Sequence, residues 1–103
     1  MIRVSFKAAH EKLCGFRITG HGGGEMGQDI VCAAVSSAAY MTANTITEIL
    51  HAPADITVDE GWMDLTVTDR VDACQHILCG FRLHLQALEE QYPKRVHLMN
   101  TEV

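Results

Sequence analysis

One long helical segment sets the architecture to which the rest of the chain must conform. Apolar residues recur every three to four positions from Val31 to Ile49, the spacing of a helix with one buried side. Asp29 supplies a residue suited to the N-cap, and Pro53 stops the helix after about His51. A helix of this length has to bury its apolar stripe against a sheet or against further helices.

The segments around this helix predict that partner. Residues 2–8 and 13–20 alternate with period two and form a hairpin, and residues 55–60 and 62–68 form a second one. Asp72 could cap a second helix that runs to about Gln91, and a short strand at 96–98 follows Pro93. The order ββαββαβ predicts an α+β fold in which two helices pack on a mainly antiparallel sheet. We expect one domain over residues 1–103.

Composition narrows the class of protein further. The 103 residues are 48% hydrophobic, enough for one core, and we see neither an apolar run of membrane-spanning length nor a signal segment. We therefore expect a soluble cytoplasmic protein whose four cysteines are thiols. A net charge of −5 disfavours nucleic acid as a direct partner and suits a basic protein tail.

Glycine is concentrated between the first hairpin and the long helix. The residues concerned are Gly20, Gly22, Gly23, Gly24 and Gly27. The segment formally matches the dinucleotide-binding GxGxxG pattern, but the following helix leads into a hairpin rather than a parallel strand, so we predict no cofactor. Two interpretations stay open: a tight connection that needs positive φ angles, and a loop that opens and closes over an extended substrate.

Cys32 and His21 are the candidate catalytic pair. Cys32 is predicted to lie in the first turn of the long helix, where unpaired backbone N–H groups favour a thiolate, and His21 could supply a neighbouring imidazolium. Ser36 lies one turn after Cys32 on the same side of the helix, and Asp29 could orient His21. Each also has a structural interpretation: Cys32 as a core residue, Asp29 as a cap and Ser36 as a hydroxyl bonded to the helix backbone. We predict no metal site.

Several segments resemble the ribosomal-processing cysteine protease (Prp) family. The resemblance rests on Gly20-His21, on the stretch Asp29–Ser36 with the sequence DIVCAAVS, on the opening Met1–Val4 and on the Gly15–Gly20 segment. The glycine-rich segment is one residue shorter than is usual in that family. That difference bears on the fit of a substrate more than on the Cys–His pair.

Membership of that family would imply a specific function. The resemblance implies a small cytoplasmic homodimer that cleaves the N-terminal extension from a large-subunit ribosomal protein with a basic tail. It implies Cys32 as the nucleophile, His21 as the general base and acid, and Asp29 and Ser36 as supporting residues. It implies no cofactor, no direct nucleic-acid contact and no membrane. The alternative is a non-catalytic ribosome-assembly or protein-interaction module with the same fold.

Overall fold

Strands and helices follow one another in the predicted order. The computed structural model describes residues 1–20 and 28–103. The strands are β1 Ile2–Ala9, β2 Lys12–Thr19, β3 Ala54–Asp59, β4 Trp62–Val67 and β5 Val96–Glu102. The helices are α1 Gln28–Asn44 and α2 Gln75–Gln91. The α+β class predicted from the sequence is confirmed.

The five strands form one sheet in the order β3-β4-β2-β1-β5. Neighbouring strands are antiparallel except for β1 and β5, which are parallel from the pair Ile2–Val96 to the pair Ala8–Glu102. The last strand is therefore longer than the three residues predicted for it. Asn100 and Thr101 carry no apolar alternation, and only their pairing with β1 makes them part of a strand.

Both helices cover the same face of the sheet, and the core lies between the two layers. Val4, Phe16 and Leu65 are fully buried on that face. The ring of Phe81 on α2 packs against Phe16 with 4.7 Å between ring centroids and against Phe6 with 5.7 Å. Burying an aromatic side chain of this size contributes roughly 1.5–3 kcal/mol, so this cluster fixes α2 on β1 and β2.

The end of α1 differs from the prediction. The regular helix stops at Asn44 and continues as a π-helical turn over Thr45–Ile49 instead of reaching His51 as an α-helix. The wider turn changes the direction of the side chains, which is why Ile49 is 70% exposed although the spacing predicted it to be buried. Arg70 holds this end in place, because its Nη1 donates to the carbonyl oxygen of Leu50 at 2.5 Å.

The start of α2 also differs from the prediction. A 3₁₀ turn over Val71–Cys74 precedes α2, and Asp72 lies inside that turn, so its predicted role as an N-cap is wrong. Its carboxylate pairs instead with Lys12 on β2. The side chain of Gln75 accepts a hydrogen bond from the Leu13 backbone N–H at 3.0 Å and donates to the Leu13 carbonyl at 2.7 Å. These contacts replace a cap and tie the start of α2 to β2.

The two outer strands of the sheet differ in how far their edges are covered. On β5 the Leu98 backbone N–H donates to the Glu89 carboxylate of α2 at 2.8 Å, which satisfies one donor of the exposed edge. β3 forms the other edge, and five of its six residues are exposed. The β3 edge is therefore the more accessible side of the sheet.

The stretch Ile30–Ile49 is long and apolar enough to cross a membrane by length and composition alone. It is not a continuous apolar run, because Ser36, Ser37, Thr42 and Asn44 lie within it. In the fold, however, Val31, Val35 and Ile46 from this stretch are at most 1% exposed and form part of the core. The core helix of a soluble protein passes the same test of length and composition.

Candidate active site

Cys32 is the fifth residue of α1, so it lies at the start of the second turn rather than in the first turn that the sequence predicted, and it is partly buried. Side chains on an α-helix tilt toward its N-terminus, so the thiol of a fifth residue is carried back toward the first turn and its unpaired N–H groups. The side chain also packs against the hydrophobic core. The structure thus places this thiol between the core and the N-terminal end of α1.

The flank of α1 that carries Cys32 faces away from α2. Ala34, Ala38 and Met41 line a groove shared with α2, and at 100° per residue Cys32 and Ser36 lie on the opposite side of the buried stripe. Since α2 packs on β2 and β5, the Cys32 flank faces toward β4 and β3. Ser36 is partly buried one turn beyond Cys32, as the helical spacing predicted.

β3 places apolar side chains on the side of the sheet toward which Cys32 faces. Ile56 pairs with Leu65 and Val58 pairs with Met63, so all four side chains share the helix-bearing face. Leu65 and Met63 are buried, whereas Ile56 is 39% exposed and Val58 is 48% exposed. We call Ile56 and Val58 the β3 strip: an open apolar surface on the face of the sheet that α1 and α2 otherwise cover.

The exposure of the β3 strip was not predicted from the sequence. Ile56 and Val58 alternate with polar residues as core residues of a strand do, and their exposure results from the position of β3 at the sheet edge. That position depends on strand order, which neither the spacing nor the composition of the hairpin encodes. The one sequence signal for this surface was the apolar alternation of a strand that follows the Cys32 helix along the chain.

Gly20 fixes the end of β2 just before the segment that contains His21. Its φ angle is +80°, and a Cβ built on it would lie 2.3 Å from the carbonyl oxygen of Met1. Its backbone N–H donates to the carbonyl oxygen of Gly61 in the β3–β4 turn at 3.1 Å. Only glycine combines this φ angle with so close an approach to Met1, so the backbone requires glycine at this position.

The remaining residues of the predicted site have different outcomes. His21, Gly22, Gly23, Gly24 and Gly27 lie outside the described residues, and so does the side chain of Asp29. The backbone of Asp29 is the second residue of α1, so Asp29 is not the N-cap that the sequence predicted. Sequence signals locate helix ends only to within one or two residues, which is the size of this difference.

The acidic residues of the second hairpin lie mostly away from the β3 strip. Asp64 points to the opposite face of the sheet, where its carboxylate accepts a hydrogen bond from Lys7 at 2.6 Å and lies 4.0 Å from Arg17. Arg17 in turn lies over the Trp62 ring at 5.3 Å. The charge of Asp64 is therefore balanced by Lys7 and Arg17 of the same sheet. Asp55 and Asp59 are exposed carboxylates on β3.

The other three cysteines differ from Cys32 in their surroundings. Burial raises the pKa of the Cys14 thiol and that of the Cys74 thiol, so both stay protonated at neutral pH. Cys79 lies exposed on α2. The described part of the chain contains all four cysteines, and none of them forms a disulfide.

A partly buried thiol near the start of α1, on the flank that faces the open β3 strip, is compatible with a thiol-dependent enzyme. The chain belongs to the cysteine protease Prp family, whose family model matches residues 1–97. It is accordingly a peptide hydrolase, and the resemblance seen in the sequence is confirmed.

Individual relatives agree with this assignment. The chain is 33% identical over 78 residues to the ribosomal processing cysteine protease Prp of Staphylococcus aureus, a match that covers 73% of this chain and 74% of the relative. Prp from S. aureus in complex with a substrate peptide superposes with a TM-score of 0.90 at 30% identity, covering 98% of this chain and 100% of the other.

A further solved structure has the same fold. Prp from S. aureus in complex with a covalently linked product peptide superposes with a TM-score of 0.87 at 31% identity, again covering 98% and 100% of the two chains. The fold of this chain is thus that of a protease in both a substrate complex and a product complex.

Proposed function

We propose that this protein is a cytoplasmic endopeptidase that removes the N-terminal extension of a large-subunit ribosomal protein, with residues 1–103 acting as one catalytic domain. The observation that carries the proposal is the position of Cys32. It lies near the positive end of α1 and on the flank that faces the β3 strip, in a fold shared with a relative called a ribosomal processing protease.

In this proposal Cys32 attacks the scissile carbonyl carbon and forms an acyl-enzyme. His21 takes the thiol proton and later gives a proton to the leaving amine, after which water attacks the acyl-enzyme and releases Cys32. Backbone N–H groups in the first turn of α1 stabilise the oxyanion, Asp29 orients His21 and Ser36 supports the reacting segment. This chemistry requires no metal and no cofactor.

The substrate segment lies extended between the Cys32 flank of α1 and the β3 strip. Ile56 and Val58 offer it apolar contacts, and the net charge of −5 favours the approach of a basic tail. Gly20 and the glycines that follow it provide the substrate loop. The proposal further includes a homodimer that does not contact nucleic acid directly.

The test is cleavage of the N-terminal segment of the host ribosomal protein, followed by mass spectrometry. We expect Cys32→Ala and His21→Ala to abolish cleavage, and Cys79→Ser, which removes an exposed thiol, to leave the rate unchanged. Retained cleavage in Cys32→Ala would refute the mechanism. If Cys32→Ser binds the ribosomal protein and fully supports growth without cleaving it, the protein-interaction module is the correct interpretation instead.

A second measurement tests the activation of the nucleophile in the same enzyme. The rate of Cys32 alkylation by iodoacetamide is followed against pH in a Cys79→Ser background, which removes the exposed competitor. We expect the midpoint of this profile to move to higher pH in His21→Ala. A midpoint that is the same with and without His21 would exclude His21 as the activating group.

A further inference from the structure

The backbone of β3 presents hydrogen-bonding groups on the outer edge of the sheet. The Thr68 N–H donates to the Pro53 carbonyl oxygen at 2.8 Å, which makes these residues a hydrogen-bonded pair of the β3–β4 hairpin. In an antiparallel hairpin, such residues alternate with residues whose N–H and C=O groups point away from the partner strand. The register of the hairpin therefore points the backbone groups of Ile56 and Val58 away from β4.

The outer edge of β3 is open in the described part of the chain. Within residues 1–20 and 28–103, no strand lies beyond β3. On the opposite edge of the sheet, Glu89 accepts a hydrogen bond from a β5 backbone N–H. Unpaired N–H and C=O groups on an edge are a template for another strand. Ile56 and Val58 thus combine outward backbone groups with the exposed apolar side chains of the β3 strip.

We infer that the substrate segment pairs with the outer edge of β3 as a sixth strand of the sheet. The inference rests on the proposed function and adds to it how the segment is recognised. The main chain of the segment exchanges hydrogen bonds with the N–H and C=O groups of Ile56 and Val58, which is recognition by β-strand addition. Side chains at every second position of the segment then pack beside the β3 strip.

β3 directs the added strand toward the start of α1. The chain passes from α1 to Ala54, the first residue of β3, through a π-helical turn and a short connection. The Ala52 backbone N–H donates to the Ile46 carbonyl oxygen at 2.9 Å, which keeps this connection tight. The end of α1 therefore lies near Ala54, and the start of α1, with Cys32, lies toward the Val58 end of β3.

The remaining side chains of the added strand lie beside carboxylates. Asp55 and Asp59 are exposed on the face of the sheet opposite to the helices. Asp64 shares that face, but its carboxylate already pairs with Lys7 at 2.6 Å. Side chains directly opposite one another on paired strands are about 4.5–5.5 Å apart, so basic residues at alternate positions are attracted by Asp55 and Asp59. The preferred segment thus alternates apolar residues with basic ones.

The same carboxylates disfavour a second copy of this chain as the occupant. If two β3 edges paired, Asp55 and Asp59 of both copies would lie on one face of the joined sheet, and like charges on neighbouring strands are destabilising. Two chains of net charge −5 also repel one another at longer range. A basic segment meets neither source of repulsion.

An N-methyl scan of the peptide tests the strand pairing. A synthetic peptide covering the N-terminal segment of the ribosomal protein is methylated at one backbone nitrogen at a time. Its affinity for Cys32→Ala, which is expected not to cleave it, is measured by fluorescence anisotropy. We expect roughly tenfold weaker binding when the methylated nitrogen faces β3, and little change at the positions between, because each such methyl group removes a hydrogen bond and crowds the edge. Weakening without a two-residue period overturns the inference.

A proline variant tests the same hydrogen bonds from the side of the protein. Ile56→Pro removes an outward N–H without removing a hydrogen bond to β4, and an edge strand tolerates proline at such a position. Ile56→Ala is the matched control, because it shortens the side chain and keeps the N–H. We expect Ile56→Pro to bind the peptide roughly fivefold more weakly than Ile56→Ala, and equal affinities overturn the inference. The N-methyl scan does not depend on the folding of the proline variant.

A charge variant tests the placement of the basic residues. Asp55→Asn should weaken binding of the peptide roughly twofold at low ionic strength, and the difference should vanish at about 1 M salt. Glu90→Gln is the matched control, because it removes the same charge from an exposed residue of α2. Equal weakening by the two variants would contradict a position of the segment beside β3.

Two further outcomes separate this inference from the alternatives. Ile56→Pro without peptide should sediment like wild-type protein, and dissociation of an oligomer by this variant would assign the β3 edge to a second copy and overturn the inference. If the peptide binds with a two-residue period but wild-type protein does not cleave it, the proposed function fails and the strand pairing stands. Cleavage of a peptide that binds without this period has the opposite meaning.

Discussion

Replacement of glycine by alanine is expected to lower the stability of the protein at Gly15 and to raise it at Gly80. Gly15 lies in β2 opposite Thr66 of β4, and a Cβ built on it would be 2.0 Å from the carbonyl oxygen of Leu65. A Cβ built on Gly80 in α2 meets nothing within 4 Å. Gly15→Ala should therefore destabilise the protein, and Gly80→Ala should stabilise it.

The magnitude for Gly15→Ala follows from the displacement that it forces. Ordinary contact begins at 3.4 Å, so the carbonyl of Leu65 and the new methyl group have to separate by about 1.4 Å. This breaks or weakens about two β2–β4 hydrogen bonds at ~0.5–1.5 kcal/mol each and adds roughly 1–3 kcal/mol of packing strain. The lower entropy of the unfolded alanine chain returns about 0.4–1 kcal/mol. We expect a net loss of about 3 kcal/mol.

For Gly80→Ala the helix propensity of alanine dominates. Glycine is about 0.8–1.0 kcal/mol less favourable than alanine inside a helix, so the variant should gain about that amount. Both values are measured by urea unfolding followed by circular dichroism, at a protein concentration low enough for the midpoint to be independent of it. A Gly15→Ala variant within 0.5 kcal/mol of wild type, or a destabilised Gly80→Ala variant, would refute the reasoning.

Two further predictions concern buried thiols and the end of α1. Burial raises the pKa of Cys14 and of Cys74, so above the ordinary thiol pKa of ~8.5 the unfolded chain loses protons that the folded chain keeps, and stability falls as pH rises. Replacing both by alanine should reduce this alkaline loss in urea unfolding between pH 7 and 10, and an unchanged slope would contradict the assignment. Arg70 has a φ angle of 58° and bonds the carbonyls of Leu50 and His51, so Arg70→Ala should cost about 1 kcal/mol in thermal unfolding. Arg70→Gly loses the same bonds but relieves the left-handed backbone, so it should be about 1 kcal/mol more stable than Arg70→Ala, and equal stability would exclude backbone strain.

The order of the elements could be predicted because each has a local signal. Val31 and Val35 mark the buried side of α1 by their spacing, and Pro53 and Pro93 limit the two helices. The candidate site also has a local sequence signal, because Cys32 follows the glycine-rich segment within a recognisable motif. Spacing in the sequence is sufficient wherever the physical cause lies within a few residues.

The features that could not be predicted depend on distant contacts. Asp72 has the composition of a cap, but Lys12 binds its carboxylate from another strand. Ile56 and Val58 have the pattern of core residues, but the strand order leaves β3 at the edge of the sheet. The π-helical turn at Thr45–Ile49 lies between α1 and β3, and the apolar spacing of the segment runs through it without a break that would mark it.

Gly20 has a consequence for how this protease could be engineered. Its backbone is fixed against Met1 on one side and Gly61 on the other, and the chain resumes as α1 at Gln28 on the other side of residues 21–27. Both contacts come from outside β2, one from Met1 and one from the β3–β4 turn, so any side chain at position 20 disturbs them. A library of variants of this protease should therefore leave Gly20 unchanged and place its diversity elsewhere.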